Sequence, residues 1–163
     1  MGASVKNGMV PKSARLKHRN LPLLMLRARE QVIGRFRPLL NAHGITEQQW
    51  RIVRVLLEAG ALEPREIGGL CRLSSPSLAG VLARMEEIGL VTRKRLAHDQ
   101  RRVRVSLTRK SRALAARMAP QIEAVYARVE RLLGKEFCEH LYSALDSVIA
   151  KLEPPVGSGA AKR

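Results

Sequence analysis

Carboxylates are scarce in this chain: 14 Asp and Glu stand against 30 Lys and Arg, which leaves a formal net charge of +16. A surplus of that size points to a polyanionic partner, in a soluble chain most often nucleic acid. A solvated basic surface or an anionic membrane is the plainer alternative. Long apolar runs are also missing. No stretch approaches the roughly 20 apolar residues that span a bilayer, and residues 1–20 lack the apolar middle of a signal peptide. The expectation is a cytosolic protein with no membrane partner. There are only two cysteines, Cys71 and Cys138. They sit far apart in helix-like apolar patterns, where a thiol serves as a small buried hydrophobe. Redox sensing is the sharper alternative, with Arg72 beside Cys71 as its one local hint. His18, His43, His98 and His140 are scattered, and C-x-x-C and H-E-x-x-H spacings are absent, so no metal site is expected. Nucleophile elbow, P-loop and dinucleotide fingerprint are absent too, which leaves an enzyme or a cofactor without residues to support it.

What the chain does have is one very basic element. Two runs with alternating apolar positions, Leu90 to Leu96 and Val103 to Leu107, flank a polar turn from Ala97 to Arg102 and predict a β-hairpin. Arg93, Lys94, Arg95, Arg101, Arg102 and Arg104 place six positive charges there against the single carboxylate of Asp99. A hydrophobic core has no use for them.

The remaining pattern is helical. At 163 residues and 45% hydrophobic content the chain suffices for one domain with its own core, or for a core completed by a second copy. Residues 1–20 carry five cations and no acid, and predict a disordered basic tail that is either solvated or a supplementary phosphate-contacting arm. A first helix starts at Leu21, with Pro22 tolerated in its first turn, and ends at Asn41 to Gly44. Thr46 and Gln49 form a capping box for a second helix, which carries Trp50, Val53 and Leu57 and stops at Gly60. Pro64 to Leu73 predicts a short helix with Ile67, Leu70 and Cys71 inward. After a turn, Ser75 as N-cap and Pro76 as first residue open another helix to Ile88, its buried stripe made by Leu78, Val81, Leu82, Met85 and Ile88. Thr108 caps a long helix to Leu133, Gly134 breaks it, and Phe137, Leu141, Leu145, Val148 and Leu152 stripe a last helix. Residues 153–163 read as a flexible tail.

Two short helices joined by a tight turn match a helix-turn-helix, and the basic hairpin that follows makes it the winged version. The fold class is therefore mainly α with a small β-wing. Residues 46–108 form the winged helix-turn-helix, and residues 21–45 and 109–152 form a helical dimerisation region, because their stripes exceed what the small central unit can cover. Ser74, Ser75, Ser77 and Arg84 are placed to reach the major groove. Arg93, Lys94, Arg95 and Arg102 lie on the wing beside the adjacent minor groove and backbone.

The stretches Arg84 to Val91 and Asp99 to Thr108, the latter with Asp99-x-Arg101 and then Val105-x-Leu107-Thr108, resemble the MarR family of bacterial transcriptional regulators. The resemblance covers roughly residues 21–152. It implies that Arg101 is the minor-groove residue and that Asp99 orients the arginine or the turn. Residues 23–30, Phe36 to Pro38 and Ile45 to Arg54 are similar to the branch named for the repressor of the homoprotocatechuate operon. That similarity implies a homodimeric repressor of aromatic catabolism, released from double-stranded DNA by a hydroxyphenylacetate, hydroxybenzoate or hydroxynicotinate. Such an acid needs an apolar slot and a cationic clamp. Arg29, Trp50 and Arg51 supply those types, with Met25 and Phe36 as further ligand-binding candidates. Trp50 also suits a core, and Arg29 also suits an ion pair with Glu30. The family's peroxide sensors need a cysteine near the start of the first helix, and this chain has none there. A non-specific architectural DNA binder and a redox-sensing regulator are the alternatives.

Overall fold

The computed structural model describes residues 17–97 and 99–153. The predicted tails fall outside these at 1–16 and 154–163, as does His98 at the hairpin tip. The chain divides into two units, Met1–Gly34 and Arg35–Arg163.

Helix α1 (Leu21–Ala42) begins in the first unit. Asn20 opens it, its Oδ1 accepting from the amide of Leu23 at 3.0 Å. Leu21, Leu23, Leu24, Met25, Leu26 and Val32 are all exposed.

In the second unit the end of α1 buries Phe36 and Leu40. Helix α2 (Glu47–Ala59) carries the capping box predicted for Thr46 and Gln49, with bonds of 2.9 and 3.2 Å. Its Ile52, Val53 and Leu56 are buried, while Trp50 is half-buried and Leu57 is exposed. Helix α3 (Pro64–Cys71) ends earlier than predicted, because Arg72 turns left-handed at φ 51°. Ile67 and Cys71 point inward, but Leu70 is 60% exposed, contrary to the expected inward stripe.

Helix α4 (Ser75–Glu87) is capped by Ser74 instead of Ser75, which moves Pro76 to the second helical position. Both serines can cap; Ser74 wins because its Oγ meets the amide of Ser77 at 3.4 Å. Leu78, Val81, Leu82 and Met85 are buried as predicted, whereas Ile88 is the C-cap and 42% exposed. Strands β1 (Val91–Leu96) and β2 (Asp99–Leu107) form an antiparallel pair. The register runs from Val91 opposite Leu107 to Arg95 opposite Val103, then jumps to Leu96 opposite Asp99. Gln100, Arg101 and Arg102, read from the sequence as turn, are thus an irregularity within β2 that the shorter β1 does not match. Leu62 bridges Val105 on the other side of β2 and ties the wing to the helices.

Helix α5 (Arg109–Leu133) starts at the predicted cap, Thr108 Oγ1 accepting from the amide of Ser111 at 3.2 Å. Gly134, at φ 90°, separates it from α6 (Lys135–Leu152). The core draws Ile52, Leu56, Ile67, Leu82, Met85, Val91, Val105, Met118 and Ile122 from α2 to α5 and the wing. Helix α6 contributes no buried residue. Among the described residues no helix is long and apolar enough to cross a membrane.

Candidate DNA-reading surface and effector hollow

The N-terminus of α4 is exposed and carries the predicted serines. Ser74 Oγ donates to Ser77 Oγ at 2.9 Å as well as capping the helix, so these two hydroxyls hold each other in place. Ser75 and Arg84 are exposed. Arg84 lies two turns beyond Ser77 on the same face, with Gly80 between them. A β-carbon at Gly80 would stand 3.6 Å from Arg84 Nη1, so the guanidinium lies over a position without a side chain. Gly80 is a surface feature that the sequence reading passed over; its spacing from Ser77 and Arg84 is the signal.

The six wing cations divide into two sets. Arg93 donates from Nε to Glu86 at 2.7 Å, Arg102 donates from Nε to Glu63 at 2.9 Å, and Arg104 Nη2 donates to the carbonyl of Ala61 at 2.7 Å. The hydrogen bond from Glu63, then its charge, pushes the Arg102 pKa above its ordinary value. By contrast, the side chains of Lys94, Arg95 and Arg101 have no hydrogen-bond or ion-pair partner among the described residues. Asp99 Oδ1 accepts from the backbone amide of Arg101 at 3.0 Å, and Gln100 Nε2 donates to the carbonyl of Leu96 at 3.2 Å. Asp99 therefore shapes the turn that presents Arg101 and leaves its guanidinium to solvent. Beside α4 a hollow of 560 Å³ is lined by Arg65, Arg72, Ser75 and Arg93, which extends the positive surface onto α3. Nothing in the sequence marks Arg65, and Arg72 stands out there only as the neighbour of Cys71.

The candidate effector residues separate more sharply. A hollow of 240 Å³ between α2 and α5 is lined by Trp50, Arg54, Leu57 and Glu58 on one side and by Ala115, Ala119, Ile122 and Glu123 on the other. Arg54 stands one helical turn from Trp50 and donates to Glu58 at 2.9 Å. It is the cation the sequence reading missed, although its four-residue spacing from Trp50 puts it on that face. Arg51 does not line this hollow. It turns toward α3, where Nη1 donates to the carbonyl of Cys71 and Nη2 to Glu47, each at 2.8 Å. Phe36 is buried edge-on against Tyr126, with ring centroids 4.8 Å apart. Met25 and Arg29 lie in the other unit, Met25 exposed and Arg29 paired with Glu30 at 3.1 Å. Burial, partly opposed by Arg51, pushes the Cys71 thiol up and favours the unreactive protonated form. Among the described residues no group of three or more His, Cys, Asp or Glu could hold a metal ion.

A helix-turn-helix followed by a basic two-stranded wing is the architecture of a winged-helix DNA-binding regulator. The MarR family model matches residues 45–103. The homoprotocatechuate degradative operon repressor of Escherichia coli is 39% identical over 133 residues, 82% of this chain and 90% of that protein. The crystal structure of NadR in complex with 4-hydroxyphenylacetate is 37% identical, with a TM-score of 0.73 over 85% of this chain and 98% of that one. CouR, a transcriptional repressor bound to a 23-mer DNA duplex, is 26% identical, with a TM-score of 0.72 over 78% of this chain and 91% of that one. The chain belongs to the MarR family. Members of that family are transcriptional regulators and not enzymes.

Proposed function

We propose that this protein is a homodimeric repressor that binds a pseudo-palindromic operator and releases it on binding a small aromatic carboxylate, so controlling an aromatic-catabolism operon in the bacterial cytosol. One observation carries the effector half of this reading. Trp50 and Arg54 place an indole and a guanidinium one turn apart in a hollow between α2, a core helix of the DNA-binding unit, and α5, which leads away from the wing. An aromatic acid requires an apolar wall and a cation; Trp50, Leu57 and Ile122 supply the wall, and Arg54 supplies the cation when the acid takes the place of Glu58, its present partner at the rim of the hollow. The complex of NadR with 4-hydroxyphenylacetate and the operon named in the Escherichia coli relative support the same chemical class.

The DNA half rests on α4 and the wing, with the CouR duplex complex in support. Ser75, Ser77 and Arg84 face the major groove, Arg101 enters the minor groove, and Lys94 and Arg95 meet phosphates. Ser74, Arg93 and Arg102 act from behind them, already engaged with Ser77, Glu86 and Glu63. Residues 46–108 form the reading unit, and the terminal helices, 21–45 and 109–152, hold two such units about 34 Å apart, one turn of DNA. The effector favours another separation and lowers affinity only by its differential binding to the two states.

The test is quantitative binding to a duplex selected by the protein from a random pool, against unselected duplex, with and without 4-hydroxyphenylacetate, hydroxybenzoates and hydroxynicotinates. Strong preference for the selected duplex, relieved by one of these acids, is the expected result. Equal affinity for both duplexes identifies an architectural DNA binder instead. Release by a hydroperoxide with no acid response identifies a redox sensor.

A further inference from the structure

We propose that Arg51 is a positioning residue for DNA recognition: from α2 it holds the α3–α4 turn, and thereby sets the angle at which the recognition helix α4 is presented. The proposal rests on the operator reading above. Four groups stand in line. Arg37 Nη2 meets Glu47 Oε2 at 3.5 Å, Glu47 Oε1 accepts from Arg51 Nη2 at 2.8 Å, and Arg51 Nη1 donates to the Cys71 carbonyl at 2.8 Å. The Arg51 guanidinium thus ties the start of α2 to the last residue of α3, and Glu47 extends the line to Arg37 at the end of α1.

That carbonyl is a special acceptor. The final carbonyls of a helix lack intrahelical donors and carry its negative dipole end. Here the turn amides serve others: Arg72 donates to the Gly69 carbonyl at 3.3 Å and Leu73 to that of Gly68 at 3.0 Å. Cys71 receives its hydrogen bond from a charged side chain on a different helix. Arg72 follows at φ 51°, and Ser74 already caps α4, so only two residues, Arg72 and Leu73, separate the clamped carbonyl from the recognition helix cap. The buried stripe of α4 fixes which face points inward; the turn fixes how the helix is tilted along its exposed face. Because the Arg51 side chain is 32% exposed and makes two charge-assisted bonds, it is held more firmly than a surface ion pair.

The same helix carries the effector residues on another face. Trp50 and Arg54 look toward α5, and Arg51, about 100° around the helix from Trp50, looks toward α3. A shift of α2 caused by an occupant of the hollow is passed through Arg51 to the turn.

The variants Arg51→Met and Arg51→Lys, made in the full chain, test this. Arg51→Met keeps the stem and loses both bonds. Its affinity for the selected duplex should fall about tenfold, the scale of a lost charge-assisted hydrogen bond, while unselected duplex at low salt is bound as before. Arg51→Lys should recover part of the loss, since one ammonium reaches one of the two acceptors. With 4-hydroxyphenylacetate the ratio of affinities in the absence and presence of the acid should move toward one in Arg51→Met, while calorimetry still detects the acid bound. Undiminished preference for the selected duplex in Arg51→Met overturns the proposal. So does equal loss on both duplexes with no recovery in Arg51→Lys, which marks a general fold defect. A wild-type protein without duplex preference ends the operator reading and this one together. A wild-type protein insensitive to the acid ends only the effector reading, and the duplex arm still decides the role of Arg51.

Discussion

The outer part of the wing and helix α6 are both largely exposed, yet their chemistry is opposite. On the wing the exposed positions from Thr92 to Arg95 and from Asp99 to Arg102 are mostly arginine and lysine, and water solvates them well. On α6 the exposed positions include Phe137 at 54%, Tyr142 at 60%, Ile149 at 52% and Leu152 at 76%. Each Å² of such apolar surface left in water forgoes roughly 25 cal/mol. A basic wing is stable without a partner and finds DNA when DNA is present. An apolar helix face needs cover for the protein to persist, and in the proposed dimer a second copy supplies it. Exposure alone therefore does not distinguish a reading surface from an assembly surface; the solvation of the exposed groups does. Partners of the two should also differ in signature, the first sensitive to salt and the second to protein concentration.

The largest effect should come from putting charge on the apolar surface. Leu141→Asp combined with Leu145→Asp should convert the proposed dimer to a monomer in sedimentation at micromolar protein, with helix content retained, because α6 contributes no buried residue to the single chain. Operator affinity should then fall about 100-fold or more, since two half-sites are no longer engaged by one linked pair. A variant that stays dimeric removes α6 from the interface. Helix α4 provides the contrast. Its stripe has the same periodicity but is covered, so Leu82→Ala, at 1% exposure, should cost about 2–5 kcal/mol of unfolding free energy whatever the protein concentration.

Much of this architecture was legible because its signals are local. Thr46 with Gln49, Thr108 and Gly134 punctuate the chain by rules that reach three or four residues, and the helices begin and end beside them. Misreadings arose where a choice was locally degenerate or decided at a distance. Ser74 and Ser75 both suit a cap before Pro76, and geometry alone separates them. Leu70 looks inward in sequence, yet α3 has only eight residues and its inward side is filled by Ile67 and Cys71. Arg51 adjoins Trp50 in sequence, yet helical spacing puts Arg54 on the Trp50 face and turns Arg51 toward α3. Which wing cations are engaged was invisible, because Glu63 lies 39 residues from Arg102.

On the basic surface the principal variant is Arg101→Ala. Removing a cation without an intramolecular partner among the described residues should lower operator affinity about tenfold and reduce the slope of log affinity against log salt by about 0.9, one phosphate's share, with dimerisation unchanged. A variant that binds as tightly as wild type removes Arg101 from the minor groove. A concentration-dependent effect would instead mean that the wing contributes to assembly, and would blur the contrast with α6.

The smallest effect, and the one that divides the wing itself, belongs to Glu63→Gln. Glu63 engages Arg102 in a solvent-exposed ion pair, the kind that exchanges readily and holds little free energy. If it withholds Arg102 from DNA, the neutral isostere should raise affinity a few-fold on selected and unselected duplex alike. The salt slope should steepen by about 0.9 as one more phosphate displaces counterions. Specificity would not improve, because phosphates carry no sequence. Weaker binding with a shallower slope would reverse the assignment: Glu63 would then be aiming Arg102 at the backbone, and a carboxylate beside the wing would orient a cation instead of withholding it.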